Sequence, residues 1–199
     1  MTQVQTFKLL KTAAAPFAIR DERASDARGR EALLDVAFGA DREARTCHRL
    51  RAGRVPATGM AFTATSRGKL VGTVRLWHVD AGGKAALVLG PLAVDPSCRD
   101  RGIGAALMRH ALQKAAEKGH TAVILLGDAP YYARFGFSTE KTASLSLPGP
   151  YAQDRLLAIE LVDDALDGAQ GTIRPTGRTA PRPRAAAASK EADAATRAA

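Results

Sequence analysis

The chain has few cysteines and no long apolar run, and both shortages exclude whole classes of protein. Of 199 residues only Cys47 and Cys98 are cysteines, which excludes a disulfide framework and a multi-cysteine zinc site and favours a reducing, cytoplasmic compartment. The longest mostly apolar stretch, residues 85–94, contains Gly90 and Pro91, whereas a membrane helix needs about 20 apolar residues. The N-terminus lacks the continuous apolar segment of a secretory signal. We therefore expect a soluble globular protein with no membrane partner.

Acidic residues are also in deficit, with 20 Asp and Glu against 29 Lys and Arg and a net charge of +9. Such an excess suits polyanionic partners, whether nucleic acid, a membrane surface or a phosphorylated cofactor. Residues 170–199 hold six basic and two acidic side chains, a net +4. Because nearly half of the excess lies in this segment, a folded nucleic-acid site is not favoured. Nucleic acid is expected to bind, if at all, only through this basic tail.

Large apolar residues are almost missing from the same C-terminal segment. Residues 170–199 are rich in Ala, Arg and Pro, and Ile173 is their one large apolar side chain. A segment of this composition cannot bury a core, so we predict a disordered basic tail over 170–199 and a flexible N-terminal segment over 1–17. Between these segments, residues 18–165 are long enough to form one self-sufficient domain.

Helical and strand patterns alternate between these ends. Residues 85–94 are apolar on both faces, which is typical of a central strand. Residues 102–118 form an amphipathic helix that ends at Gly119. This order of elements predicts a mixed sheet with helices on its faces. Helices are predicted over 24–38, 41–51, 102–118 and from 130 to 133, and strands over 60–65, 70–77, 85–94, 121–126 and 156–162.

The most informative segment joins the central strand to the amphipathic helix. The strand ends at Val94, a polar loop with Arg99 and Arg101 follows, and Gly102 and Gly104 open the helix. Glycines remove Cβ atoms and allow a ligand to approach the backbone closely. The first N–H groups of a helix have no internal partner, and together with the helix dipole they bind anions. The sequence therefore predicts a phosphate or pyrophosphate at this turn.

The two common nucleotide-binding motifs do not fit this turn. A dinucleotide fingerprint requires a small residue where Leu107 stands and an acidic residue about 20 positions later, where residues 118–120 are Lys-Gly-His. A P-loop requires Gly-Lys-Ser/Thr, which does not occur in the sequence. The phosphate must belong to another class of ligand.

The hexapeptide Arg99-Asp-Arg-Gly-Ile-Gly104 resembles the acyl-CoA pyrophosphate loop of the GCN5-related N-acetyltransferase (GNAT) superfamily, Gln/Arg-x-x-Gly-x-Gly/Ala. Roughly thirty residues further on, residues 131–137 (Tyr-Tyr-Ala-Arg-Phe-Gly-Phe) resemble the family's second signature, aromatic-Tyr-x-x-x-Gly-Phe. The segments 92–96 and 127–132 are most similar to the YhbS-like subgroup. The likeness covers about residues 18–162. It implies a single-domain α/β (α+β) fold with a mixed, mostly antiparallel central sheet flanked by helices.

The resemblance also implies a binding site for acetyl-CoA, the cosubstrate, and no metal. The backbone of Leu92, Ala93 and Val94 would bind the pantetheine arm like an added strand, with the N–H of Leu92 or Val94 facing the thioester oxygen. Tyr131 is assigned to the same site, with packing as its alternative role. The pyrophosphate would be held by Arg99, Asp100, Arg101, Gly102, Ile103, Gly104 and Ala105.

The implied reaction moves an acetyl group directly, in a ternary complex, to a primary amine on a small molecule or a protein. Tyr132 matches the tyrosine that protonates the departing thiolate in many relatives. A tyrosine with a pKa of about 10 is protonated at pH 7 and can act as the acid. Its alternative roles are positioning of coenzyme A and packing beside Phe135 and Phe137. The competing class is a non-catalytic acyl-CoA-binding or nucleic-acid-associated module.

Several points stay open from the sequence alone. The sequence does not identify the general base: a side chain or a water chain should accept the amine proton. Glu43, His48, His78 and Asp128 are the candidates, each of which is also explained as a solvated or hydrogen-bonded side chain. Cys98 lies beside Arg99 near a helix start, where a thiolate is favoured, so an acyl-cysteine is an alternative to direct transfer. The identity of the amine and homodimerisation remain undetermined.

Overall fold

The computed structural model describes residues 17–181. Short 3-10 turns cover residues 24–26, 40–44, 46–50, 96–98, 140–142 and 153–155. The helices and strands are β1 (Ala18–Asp21), α1 (Ala27–Phe38), β2 (Ala61–Ser66), β3 (Lys69–Asp80), β4 (Ala85–Val94), α2 (Ile103–Glu117), β5 (Ala122–Leu126), α3 (Ala129–Ala133), β6 (Leu145–Ser146), β7 (Leu156–Glu160), β8 (Gly171–Thr172) and β9 (Arg174–Pro175).

One mixed sheet organises the fold. Its strands lie in the order β1-β2-β3-β4-β5-β7, and β9 pairs with the far end of β3. Within this sheet β4 and β5 are parallel, and the other pairs are antiparallel. The short strands β6 and β8 pair separately. The mixed, mostly antiparallel sheet flanked by helices is therefore confirmed.

The two parallel strands separate soon after they meet. Pairing between β4 and β5 covers Leu87 with Val123 and Val88 with Ile124. Immediately beyond, the register between β3 and β4 shifts, because Leu76 faces Leu89 whereas Val74 faces Leu92. Such a bulge bends and twists its strand. The second half of β4 therefore leaves the line of β5, and a gap opens between the two strands.

Different elements pack on the two faces of the sheet. On one face α2 lies close to β3, and a Cβ on Gly72 would lie 2.9 Å from Leu107 Cδ1, so this glycine allows the close approach. On the other face Leu33 and Leu34 of α1 pack on Ala93. The rest of that face is covered by the turn at 46–50 and by residues 166–173, with Leu50 and Ile173 almost fully buried.

The C-terminal segment differs from the prediction of a tail that is disordered from residue 170. Residues 170–181 belong to the fold: Ile173 is 1% exposed, β8 pairs with β6, and β9 pairs with Val79 and Asp80 of β3. Main-chain pairing needs no apolar side chains, and a single buried side chain, Ile173, packs the segment against the core. The average composition of residues 170–199 therefore did not predict that their first part is folded. The predictions for residues 1–16 and 182–199 fall outside the described residues.

Two further elements differ from expectation. The segment 41–51, predicted as one helix, forms two short 3-10 turns, because Arg45 between them has an extended backbone. Strand β1 was not predicted, since its four residues alternate too briefly to give a pattern; it pairs with β2 at the edge of the sheet. No helix between residues 17 and 181 has the length and apolarity needed to cross a membrane.

Candidate active site

The end of β4 presents a free main-chain edge to the gap. The N–H of Asp95 donates to the carbonyl of Val71 at 2.9 Å. Hydrogen-bonded and non-hydrogen-bonded residue pairs alternate along an antiparallel ladder, so Ala93, two residues before Asp95, also exchanges its main-chain hydrogen bonds with β3. Leu92 and Val94 direct their N–H and carbonyl groups to the opposite edge, which β5 has left. Among residues 17–181, no backbone group from another element bonds to this edge.

The start of α2 supplies unpaired donors. Gly102 is the N-cap, with a left-handed backbone (φ 75°) and no side-chain cap, and the first bond of the helix runs from Ala106 N–H to Gly102 O at 2.9 Å. The N–H groups of Ile103, Gly104 and Ala105 therefore have no acceptor within the helix. A Cβ on Gly102 would meet no atom of residues 17–181 within 4 Å, so the described part of the chain leaves the space beside the N-cap open. This arrangement can bind an anion.

The loop before α2 adds charge to this site. Arg99, Asp100 and Arg101 are exposed, and Asp100 has a left-handed backbone (φ 63°). A Cβ on Gly104 would lie 3.4 Å from the hydroxyl of Tyr131 and 3.5 Å from Val94 Cγ2. Three separately predicted pieces, the strand end, the glycine turn and the first tyrosine, therefore meet at one place.

Tyr132 lies on the other side of the gap. It belongs to α3, whose N-terminus is capped by Asp128 through a 3.2 Å hydrogen bond from the N–H of Tyr131. Its ring packs against Phe137 and Tyr131, with centroids 6.0 and 5.0 Å away, and also lies directly on Gly127. Burial, followed by the neighbouring Tyr131, raises the pKa of Tyr132. The phenol is therefore protonated at neutral pH and able to donate a proton.

A cavity of about 490 Å³ occupies the gap between β4 and β5. Tyr132 lines it together with residues 89–92 of β4 and 125–126 of β5, and segments from 38–51 and 150–155 complete the wall. Among the described residues that line it there is no Asp or Glu. It does contain four guanidinium groups, which the sequence analysis did not select because isolated arginines carry no motif: Arg42, Arg45, Arg51 and Arg155.

None of the four candidate bases lines this cavity. Asp128 caps α3, and His78 lies on the exposed face of β3 with its ring 5.3 Å from that of His120. Glu43 is exposed. Burial, followed by the nearby Arg51, lowers the pKa of His48, which lies in the turn at 46–50.

The two cysteines have different surroundings. Cys98 is 7% exposed and packs in the core, with its Sγ 3.7 Å from the Ser97 hydroxyl. Cys47 lines the cavity, and burial raises the pKa of its thiol. Within residues 17–181 no three His, Cys, Asp or Glu side chains cluster closely enough to hold a metal ion.

A sheet that separates between two parallel strands, with free helix amides at the end of the gap, defines an acyltransferase fold of the GNAT type. Residues 24–137 match the model of the acetyltransferase (GNAT) family. This chain belongs to that family, as its two sequence signatures predicted, and is an N-acetyltransferase by class.

Individual relatives agree with this assignment. The uncharacterized N-acetyltransferase YhbS of Escherichia coli K12 is 35% identical over 157 residues, which cover 78% of this chain and 93% of the relative. The crystal structure of E. coli YhbS in complex with CoA superposes with a TM-score of 0.68 at 33% identity, covering 81% and 91% of the two chains. A GNAT family acetyltransferase from Brucella melitensis, solved with acetyl-CoA, gives a TM-score of 0.56 at 27% identity, covering 80% and 96%.

Proposed function

We propose that the chain transfers an acetyl group from acetyl-CoA to a primary amine held in the cavity, directly within a ternary complex. The observation that carries the proposal is the pairing of two sets of free main-chain donors, the edge at Leu92 and Val94 and the amides that open α2. A long ligand with a diphosphate at one end and amides along its arm matches these two sets. Similar chains solved with CoA or acetyl-CoA support the same ligand.

The proposed roles follow from chemistry. The N–H groups of Leu92 and Val94 would donate hydrogen bonds to the pantetheine arm, which binds as an added strand, and to the acyl oxygen, where donors stabilise developing negative charge. Ala93 would keep this strand in place through its bonds to β3. Tyr131 would border the coenzyme beside Gly104. The loop and helix start from Arg99 to Ala105 would hold the pyrophosphate.

Tyr132 is the proposed acid. When bound, acetyl-CoA supplies an activated thioester whose sulfur must leave as a thiol. A phenol with a raised pKa stays protonated and can give its proton to that sulfur. The rest of the rate would come from holding amine and acyl group together. Because Cys47 and Cys98 are unpaired, we also propose a cytoplasmic location.

Two variants test the proposal. Gly104→Val places a branched side chain between Val94 and the hydroxyl of Tyr131, and we expect it to weaken CoA binding in calorimetry by tenfold or more, on the order of 1.4 kcal/mol. Tyr132→Phe should lower kcat for thiol release by roughly 10²-fold and leave CoA affinity nearly unchanged. Unaltered CoA binding by the valine variant would refute the loop assignment. Unaltered kcat in the phenylalanine variant would remove the acid role.

A further inference from the structure

Among the described residues, one cation in the cavity wall has no hydrogen-bond or ion-pair partner. Arg51 follows the turn at 46–50 and is partly buried, yet within residues 17–181 its side chain forms no ion pair and no hydrogen bond. Every other buried or partly buried arginine there has an anionic or carbonyl partner: Arg20 with Asp26, Arg30 and Arg75 with Glu22, Arg42 with Glu31 and Asp35, and Arg54 with the carbonyl of Gly177.

The surroundings of Arg51 make this lack of a partner costly. Burial, together with the nearby positive charges of Arg42 and Arg45, lowers the pKa of Arg51. The Cys47 thiol is close, but burial raises its pKa, so it is neutral at pH 7 and is not a counterion. A partly buried charge without a partner destabilises a fold. Such a site therefore suits an anion that arrives with a ligand.

The position of Arg51 connects it to the reaction centre. A Cβ on Gly90 would lie 3.7 Å from Arg51 Nη1, so the guanidinium lies beside β4 two residues before Leu92. Arg155 lines the same cavity; its Nε donates to the carbonyl of Gly127 at 3.3 Å. Because Tyr132 packs on Gly127, a ligand between the two arginines lies next to the proposed acid.

We infer that the amine acceptor carries an oxyanion, a carboxylate or a phosphate, which binds Arg51 with help from Arg155. The inference rests on the proposed function, because it identifies the chemical class of the acceptor at the same site. A planar guanidinium binds either oxyanion through two parallel hydrogen bonds. The cavity of about 490 Å³ suits a small molecule of this kind. The coenzyme's own diphosphate has separate donors at the start of α2.

The test compares matched primary amines with and without the negative charge. Thiol release from acetyl-CoA is measured for L-amino acids against their amides and for O-phosphoethanolamine against ethanolamine; these two pairs separate carboxylate from phosphate. In parallel, calorimetry measures binding of the N-acetyl amino acids and of their amides to the protein saturated with CoA. The variants are Arg51→Met and Arg51→Lys, with Arg28→Met, an exposed position on α1, as the control for the loss of one charge.

We expect charged members of a pair to have a KM at least tenfold lower than their neutral partners. Arg51→Met should raise that KM by roughly 10- to 100-fold, the range for hydrogen bonds to charged groups, and should leave the affinity for CoA unchanged. Arg28→Met should change neither the KM nor the affinity for CoA. Arg51→Met should also melt at the same or a higher temperature, which a structural role for Arg51 would not allow. Arg51→Lys should retain part of the preference.

The outcomes distinguish this inference from the proposed enzyme activity. Turnover of neutral and anionic amines with equal KM would overturn the anionic acceptor and leave the acetyltransferase proposal intact. Selective binding of the N-acetyl acids with no turnover of any amine would support the anion site and count against the activity. Equal binding of acids and amides, with or without turnover, would overturn the inference, and so would loss of CoA affinity in Arg51→Met.

Discussion

Gly127 controls where the Tyr132 ring can lie, and Gly127→Ala is therefore a sharper probe of the proposed acid than removal of its hydroxyl. A Cβ at position 127 would lie 2.6 Å from Tyr132 Cδ2, closer still to Cε2, and 3.0 Å from Leu125 Cδ1. Ordinary contact begins at 3.4 Å, so Cδ2 must move by about 0.8 Å and the closer Cε2 by more than that. Phe137 and Tyr131 pack on the ring and resist this movement.

A displacement of about 1 Å in a reacting group costs on the order of 10²-fold in rate, so we expect kcat in Gly127→Ala to fall by roughly 10- to 100-fold. Overpacking should also cost about 1–3 kcal/mol of stability. The assay is thiol release from acetyl-CoA, with CoA affinity measured separately and expected to be unchanged. Gly29→Ala is the control, because its added Cβ makes only ordinary contacts, 3.9 Å from Leu70.

A double-mutant cycle separates displacement of Tyr132 from general damage to the fold. If the alanine acts through the tyrosine hydroxyl, Gly127→Ala should lower kcat little further once Tyr132→Phe is present. Equal losses in both backgrounds would show that the glycine acts through something else. A kcat within twofold of the parent in Gly127→Ala alone would refute the reasoning, because the ring would then have moved without consequence.

The remaining predictions concern stability. Within residues 17–181 the buried hydroxyls of Thr63 and Thr73 have no hydrogen-bond partner. Replacing either residue by Val should therefore raise the free energy of unfolding by about 1 kcal/mol, read as a rise of roughly 2–4 °C in Tm, and a fall would contradict this. A side-chain hydrogen bond from Arg20 lowers the pKa of Asp26 to about 2, so this pair should stabilise the fold above about pH 4 and cease to do so as the pH falls through 2. Asp26→Asn should then lower Tm at pH 7 but not near pH 2, and an equal loss at both pH values would rule out the charge effect. Ile173→Ala should lower the free energy of unfolding, measured with denaturant, by about 2–4 kcal/mol. A loss below about 0.5 kcal/mol would mean that this side chain does not hold residues 170–181 against the core.

The parts of the site that were predictable from the sequence are those that consist of consecutive residues. The turn from Arg99 to Ala105 needs glycine and positive charge at adjacent positions, and the segment 131–137 needs aromatic residues at fixed spacing. A central strand before the turn could be read from continuous apolar residues. These local requirements predicted the family and the mixed sheet.

The acceptor cavity could not be predicted, because its wall comes from segments far apart in the chain. Arg51 and Arg155 are separated by about a hundred residues, and each stands in an ordinary polar context. Only the divergence of β4 from β5 brings them to one space. The one local signal that was available is Gly127, a glycine directly after a buried strand and five residues before a tyrosine.

The arginines in the cavity also bear on the missing base. A free alkylamine has a pKa of about 10.4, so the acceptor must lose a proton before it attacks. Nearby positive charges favour the neutral form of an amine. Glu31 and Asp35 neutralise Arg42, which leaves Arg45, Arg51 and Arg155, and one acceptor oxyanion offsets only one of them. The cavity would therefore keep a net positive field around the amine and shift it toward its reactive form. On this argument, water can receive the proton, and the cavity needs no carboxylate or imidazole in its wall.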